Sequence, residues 1–197
     1  MGRTSTARER LLETAGELLR ERGYGALGVA EICAHAEVKK GSFYHFFASK
    51  QELTLAAVDA TWEDERVAWR AALAPDAELA EQLSRLFDVM REAQEDAKRR
   101  TGSVRGCLFG NLALELSGRE AEVRERLNEI FEEQAGLVAA ALDADDPAAA
   151  LPTARAIVAQ LEGTVLLAKL ANDPELLRGL PKLALRLCAD GSAPAGR

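Results

Sequence analysis

From Leu11 to Leu187 the apolar residues of this chain recur every three or four positions, and no segment alternates apolar with polar. A period near 3.6 lines such residues along one side of a helix, whereas a half-buried strand needs a period of two. Leu11, Leu12, Ala15, Leu18 and Leu19 form the first stripe. Leu79, Leu83, Leu86, Phe87, Met90, Ala93 and Ala97 form another. The pattern predicts an all-α fold of about nine helices, without an internal repeat.

Punctuation between the stripes sets the expected boundaries. Thr6 with Glu9 reads as a capping box, and Gly23 as the left-handed stop of the first helix. Short helices are expected over Val29 to His35 or Ala36 and over Lys39 to Phe47, with Glu37 and Val38 between them. Ser49 and Glu52 make a second capping box, opening a long helix that Pro75 closes. Asp76 is expected to cap the next helix, which breaks at "KRRTGS". A glycine-interrupted helix follows over Val104 to Ser117, then a long one from about Arg119 to Leu142. Asp146 with Pro147, and Asp173 with Pro174, mark two further starts, and Pro181 should kink or split the last helix.

No run approaches the ~20 uninterrupted apolar residues of a membrane span, and the first residues hold no apolar signal core, so a cytoplasmic, membrane-free protein is expected. Three scattered cysteines do not make a disulfide framework, and two histidines without close Cys partners do not make a zinc site. Neither metal nor cofactor is expected. The formal charge of −7 is unevenly spread: residues 1–50 hold eight Lys/Arg against six Glu, the remainder 17 against 26. A mildly basic head on an acidic body is the reading.

The head's most informative stretch is "EVKKGSFYHFFASKQEL", residues 37–53. On a helix, Phe43, Phe46 and Phe47 share one side and can anchor it, while Gly41 and His45 point away, with Ser42 and Tyr44 at the shoulders. Lys39 and Lys40 stand at the helix N-terminus, where the dipole disfavours cations but a phosphate would be welcome. Lys50 lies on the first turn of the next helix. Two short helices joined by a tight turn form a helix-turn-helix. The residues alone leave a second reading open, a solvated hairpin anchored by its aromatics.

The run Glu31-Ile32, Ala36, Val38, Lys40-Gly41-Ser42-Phe43-Tyr44-His45, Phe47, Ser49-Lys50 and Leu53 resembles the DNA-binding domain of the TetR family of bacterial transcriptional regulators. The resemblance implies a three-helix DNA-binding head over residues 1–50, a connecting helix at about 49–73, an effector-binding and dimerising body over 51–190, and a disordered tail over 191–197. It implies that Gly41, Ser42, Tyr44 and His45 face base edges or the groove wall, and that Lys40, Tyr44 and Lys50 contact phosphates; Lys39, at the same helix end, is expected to serve DNA binding with them. Three positions depart from the family pattern: Gly28 and Lys39 where a hydroxyl cap is usual, and Glu37 where glycine commonly turns the chain, at ~1 kcal/mol if it is left-handed.

In the body, Ile157, Val158, Leu161 and Val165 form one stripe and Leu176, Leu180 and Leu183 another. Paired across a two-fold axis they would build a four-helix dimer interface; ordinary intrachain core is the other reading. Trp62, Phe87, Met90, Phe109 and Phe131 could line an effector cavity, or simply be core. The segment "RGCLFGNLALELS" at 105–117 and "EGTVLLAK" at 162–169 resemble a branch of the family that regulates electrophile and oxidant detoxification. That likeness implies a sensing role for Cys107 and Lys169, with Asn111 nearby. A cation beside a thiol makes it reactive; the competing reading is an inert buried cysteine. The expected function is a homodimeric repressor that binds double-stranded DNA at a palindromic operator and is released by a small-molecule effector or thiol modification. A helical binding protein without DNA activity and a thiol enzyme are the rivals, the latter lacking a histidine partner. No catalytic set is expected.

Overall fold

The computed structural model describes residues 6–143 and 145–191. The helices are α1 (Ala7–Arg22), α2 (Val29–His35), α3 (Lys40–Phe46), α4 (Lys50–Ala72), α5 (Leu79–Thr101), α6 (Leu108–Leu116), α7 (Ala121–Leu142), α8 (Pro147–Ala171) and α9 (Leu180–Gly191), with a 3₁₀ segment at Pro174–Gly179. Among the described residues there is no strand, as the spacing predicts. No described helix is long and apolar enough to cross a membrane. The expected tail lies outside the described residues, apart from Gly191.

Contacts divide the chain into two compact units, each discontinuous in sequence. The first comprises the described residues up to Asp64 together with Leu108–Asn128; the second comprises Glu65–Cys107 and the described residues from Glu129 onward. Contacts thus divide the chain within α4, after Asp64, where the expected cut was at residue 50, and α6, which packs against α1, returns to the first unit.

Within the first unit, the Thr6–Glu9 box forms as expected: the Thr6 hydroxyl accepts from the Glu9 amide at 3.2 Å and the Glu9 carboxylate from the Thr6 amide at 2.8 Å. Gly23 stops α1 at φ 76°. The second box is shifted by one residue. Ser49 accepts from the Glu52 amide at 3.0 Å, but the Glu52 carboxylate takes the Ala48 amide instead of that of Ser49. Leu11, Leu19, Phe43, Leu53, Val58, Leu112 and Val123 are buried, and α1 packs against both α2 and α6. Burying each large apolar side chain contributes roughly 1.5–3 kcal/mol.

In the second unit, α5 and α8 both pack on the 3₁₀ segment and on α9. Two expectations are corrected there. Asp76 does not cap α5; it pairs with Arg85 at 2.8 Å, and the helix begins after Glu78 with no side-chain cap. Residues 104–107 are not helical: Gly106 has φ 79°, and α6 begins only at Leu108. Of the two outcomes expected at Pro181, a kink or a split, the split is found: the 3₁₀ segment ends at Gly179 and α9 begins at Leu180. Asp146 and Asp173 do cap their helices, accepting from Ala149 and Glu175 at 3.1 Å each.

Asn172 closes α8 in the left-handed region, φ 51°. Its side chain reaches the stretch after α5, accepting from the Val104 amide at 2.8 Å and donating to the Gly102 carbonyl at 3.1 Å. Lys98 donates to the Asn172 carbonyl at 2.6 Å.

Candidate nucleic-acid interface and ligand-domain site

The three-residue turn into α3 exists because Glu37 adopts φ 53°, letting the Val38 amide donate to the Cys33 carbonyl at 2.9 Å. A left-handed non-glycine residue costs roughly 1–2 kcal/mol. From that turn α3 starts at Lys40 with Lys39 as an extended, uncapped N-terminal flank. Phe43 and Phe47 are buried and 5.8 Å apart, and Arg8 lies over the Phe47 ring at 5.5 Å. Phe46 corrects the expectation of a three-ring anchor: it is 38% exposed. Two rings, not three, pin the helix.

The opposite side is open. Lys39, Lys40, Gly41, Tyr44 and His45 are exposed and Ser42 is half-buried. Tyr44 stands edge-on to Phe43 at 5.1 Å. A methyl added at Gly41 would meet nothing within 4 Å. The fold of the chain therefore does not demand glycine there, although glycine within a helix costs about 1 kcal/mol relative to alanine. Room for a second surface is the physical use of such a position.

Lys50 differs from its expected role. Its ammonium donates to the Tyr24 and Leu27 carbonyls at 2.9 Å each and lies 3.8 Å from the Tyr24 ring centroid. Burial holds its pKa below the ordinary lysine value, opposed by Glu115 and Glu120. Lys50 is thus a clamp on the α1–α2 loop and not a cation held out to phosphate. Glu115, which sequence reasoning missed, grips the same loop through the Tyr24 and Gly25 amides at 2.7 and 2.5 Å. The signal was available: it is the single charge in "LFGNLALEL".

The residues expected around an effector fall into both units. Trp62, Phe109 and Asn111 belong to the first, where the two rings meet edge-to-face at 6.1 Å. Phe87, Met90, Cys107, Phe131 and Lys169 belong to the second. There, Gln94 is buried and its amide brackets Gly106, accepting from its N–H at 2.9 Å and donating to its carbonyl at 3.3 Å. This fixes the backbone directly ahead of the buried Cys107. The Cys107 thiol hydrogen-bonds the Glu162 carboxyl, whose pKa is pushed up to about 7, first by burial and then by Glu65, against the thiol's hydrogen bond. The sequence pairing of Cys107 with Lys169 overlooked this acid. Lys169 is held below its usual pKa by burial and then by Arg105. Burial raises the thiol pKa at Cys33 and Cys188. Among the described residues no His, Cys, Asp and Glu cluster could hold a metal ion.

Two family models match the chain: the bacterial regulatory proteins of the tetR family over residues 11–57, and the LmrA/YxaF-like transcriptional regulator C-terminal domain over 80–182. The chain belongs to the TetR family of bacterial transcriptional regulators. It is 33% identical to the transcriptional regulator AcuR of Cereibacter sphaeroides over 192 residues, covering 90% of this chain and 83% of that one. A TetR regulatory protein from Rhodobacter sphaeroides superposes with a TM-score of 0.79 at 29% identity, over 93% of this chain and 99% of the other. The fold is also that of the reduced form of Escherichia coli NemR, with a TM-score of 0.77 at 24% identity over 91% and 95% of the two chains.

Within this TetR regulator the stripes read as a dimer interface divide by exposure. Ile157, Val158, Leu161, Val165 and Leu180 are buried in the chain's own core, so as interface residues they are corrected. Leu176 and Leu183 are exposed at 46% and 41%, and Leu166, Leu167 and Leu170 on α8 join them. Large apolar side chains left in water over three successive elements mark a surface that gains by being covered.

Proposed function

We propose that this TetR-type regulator is a homodimeric repressor that reads a palindromic duplex with α3 and leaves it when a small molecule occupies the body. The observation that carries the reading is the uncluttered outer side of α3, held by Phe43 and Phe47 and bearing Lys39, Lys40, Gly41, Tyr44 and His45. Lysines at its N-terminal end suit the phosphate backbone, and the hydrogen-bonding side chains suit base edges. A second copy would cover the exposed leucines of α8, the 3₁₀ segment and α9, giving two heads for two half-sites. Regulators of this family are not typically enzymes. A role on DNA inside the cell implies a cytoplasmic location.

Covalent modification of Cys107 is the second reading of the trigger, favoured by its place two residues after Arg105 and by the segment's likeness to thiol-responsive regulators. The hydrogen bond from Cys107 to an acid instead of a base favours the reversible ligand, because the neighbour that activates a thiol is a cation.

Selection of duplexes from a random-sequence pool by the purified protein tests the reading. A two-fold-symmetric motif should emerge, and Lys39→Glu with Lys40→Glu should weaken binding to it and lower the slope of log Kd against log salt by about one per lysine. A pool that stays unenriched refutes DNA recognition. Labelling with N-ethylmaleimide separates the triggers: loss of affinity that disappears in Cys107→Ser supports thiol sensing, and unaltered affinity of the labelled protein supports the reversible ligand.

A further inference from the structure

We propose that Glu115 is a positioning residue for DNA recognition: its carboxylate sets the loop between α1 and α2, and α3 is presented to a duplex in working geometry only while that loop is held. The proposal rests on the DNA-binding reading above. Glu115 lies on α6, 91 residues along the chain from Tyr24, yet each of its oxygens takes one of two consecutive backbone amides. Two adjacent N–H groups turned to one carboxylate form an anion-binding nest, and hydrogen bonds to a charged acceptor are about twice as strong as neutral ones.

The glycines of the loop are shaped around the same carboxylate. A side chain at Gly23 would come within 2.6 Å of a Glu115 oxygen, and one at Gly25 within 2.9 Å. Gly23 also needs its φ of 76° to leave α1. At Gly25 no such backbone demand exists, and a side chain there would have to push the Glu115 carboxylate aside.

The loop's carbonyls are held from the other side by Lys50, through Tyr24 and Leu27. Donors rest on a carboxylate and acceptors on an ammonium, so both faces of one short peptide are fixed. Gly28, next in the chain, caps α2, and α2 leads through the strained Glu37 turn into α3. The position of α3 is thereby referred to α6, a helix that the chain enters directly after Cys107.

The test uses the full-length protein and three variants: Glu115→Ala, Glu115→Gln and Gly25→Ala. Gly25→Ala displaces the carboxylate without removing it and guards against a simple folding defect in Glu115→Ala. Affinity is measured for the duplex that the unmodified protein selects and for an unrelated duplex of equal length, alongside amide exchange of residues 23–28. Glu115→Ala and Gly25→Ala should each weaken the selected duplex by at least tenfold, leave the unrelated one within twofold, and speed exchange of the loop but not of α8. Glu115→Gln, able to accept one amide but not two, should fall between. Selected-duplex affinity within twofold of the parent in both variants overturns the proposal. So does an equal loss on both duplexes with a lowered melting midpoint, which would mark a general folding role. If the unmodified protein selects no duplex, DNA recognition fails first, and unchanged loop exchange in the variants would then dismiss the clamp as well.

Discussion

In the unit that carries α3, Lys50 and Glu115 each hold two backbone groups of one loop, with every contact between 2.5 and 2.9 Å. In the unit that carries α8, the side-chain oxygens of Gln82, Gln134 and Gln160 are buried without a hydrogen-bond partner among the described residues. Glu162 there is buried against Cys107 and Glu65. Interior polar groups that are fully paired rigidify a structure, while those left short of partners favour whatever supplies a proton or a donor. The contrast is one of degree, since the unit that carries α3 also buries the Arg10 Nε without a partner among the described residues; it suits a part that must present one fixed shape and a part that must respond. Gln94 and Asn172 show that the second unit also pairs its interior amides where a backbone stretch needs holding.

The sharpest way to break the contrast is Glu162→Gln. The folded protein holds this proton with a pKa of about 7, against 4.5 ordinarily. The resulting stability is therefore fully present below pH 4.5 and is lost as pH rises through 7. The variant should flatten that dependence and, at pH 8, gain up to about 3 kcal/mol over the parent. Urea unfolding at pH 5 and pH 8 reads it directly, and parallel curves for the two proteins would remove Glu162 from the responsive set.

Next in size is Lys50→Met, which keeps an apolar stem over Tyr24 while stranding two carbonyls. A loss of about 2 kcal/mol is expected, with the slope of affinity against salt unchanged. A slope reduced by about one would return Lys50 to the phosphate contacts. The smallest effect belongs to Glu37→Gly. Relief at φ 53° is offset by the greater freedom of the unfolded chain, leaving a gain of under about 1 kcal/mol in a thermal melt. A loss would mean that the Glu37 side chain makes a contribution of its own.

What the sequence made legible was local. Caps such as Thr6, Gly23, Asp146 and Asp173 act within a few residues, and so do the stripes that bury Leu11, Leu83 or Ile130. The outward side of α3 followed from the same periodicity, apart from Phe46. What escaped was set by partners distant in the chain. Nothing near Lys50 announces that its acceptors are Tyr24 and Leu27, and nothing near Cys107 names Glu162. Helical period also cannot tell a stripe that meets its own chain from one that meets another, so Leu161 and Leu183 looked alike until burial separated them. Gly106 misled in a simpler way, since a glycine tolerated within a helix and one needed at φ 79° are the same letter.

Asn172 has a consequence for how this chain can vary. Glycine is the ordinary occupant of a left-handed helix end, but here it would untie residues 102 and 104 at once; aspartate would set a negative charge against the Gly102 carbonyl. An outward-lying position is thus as chemically narrow as a core one. Drift at that site would register first as slack in the peptide leading to Cys107, long before any helix was lost.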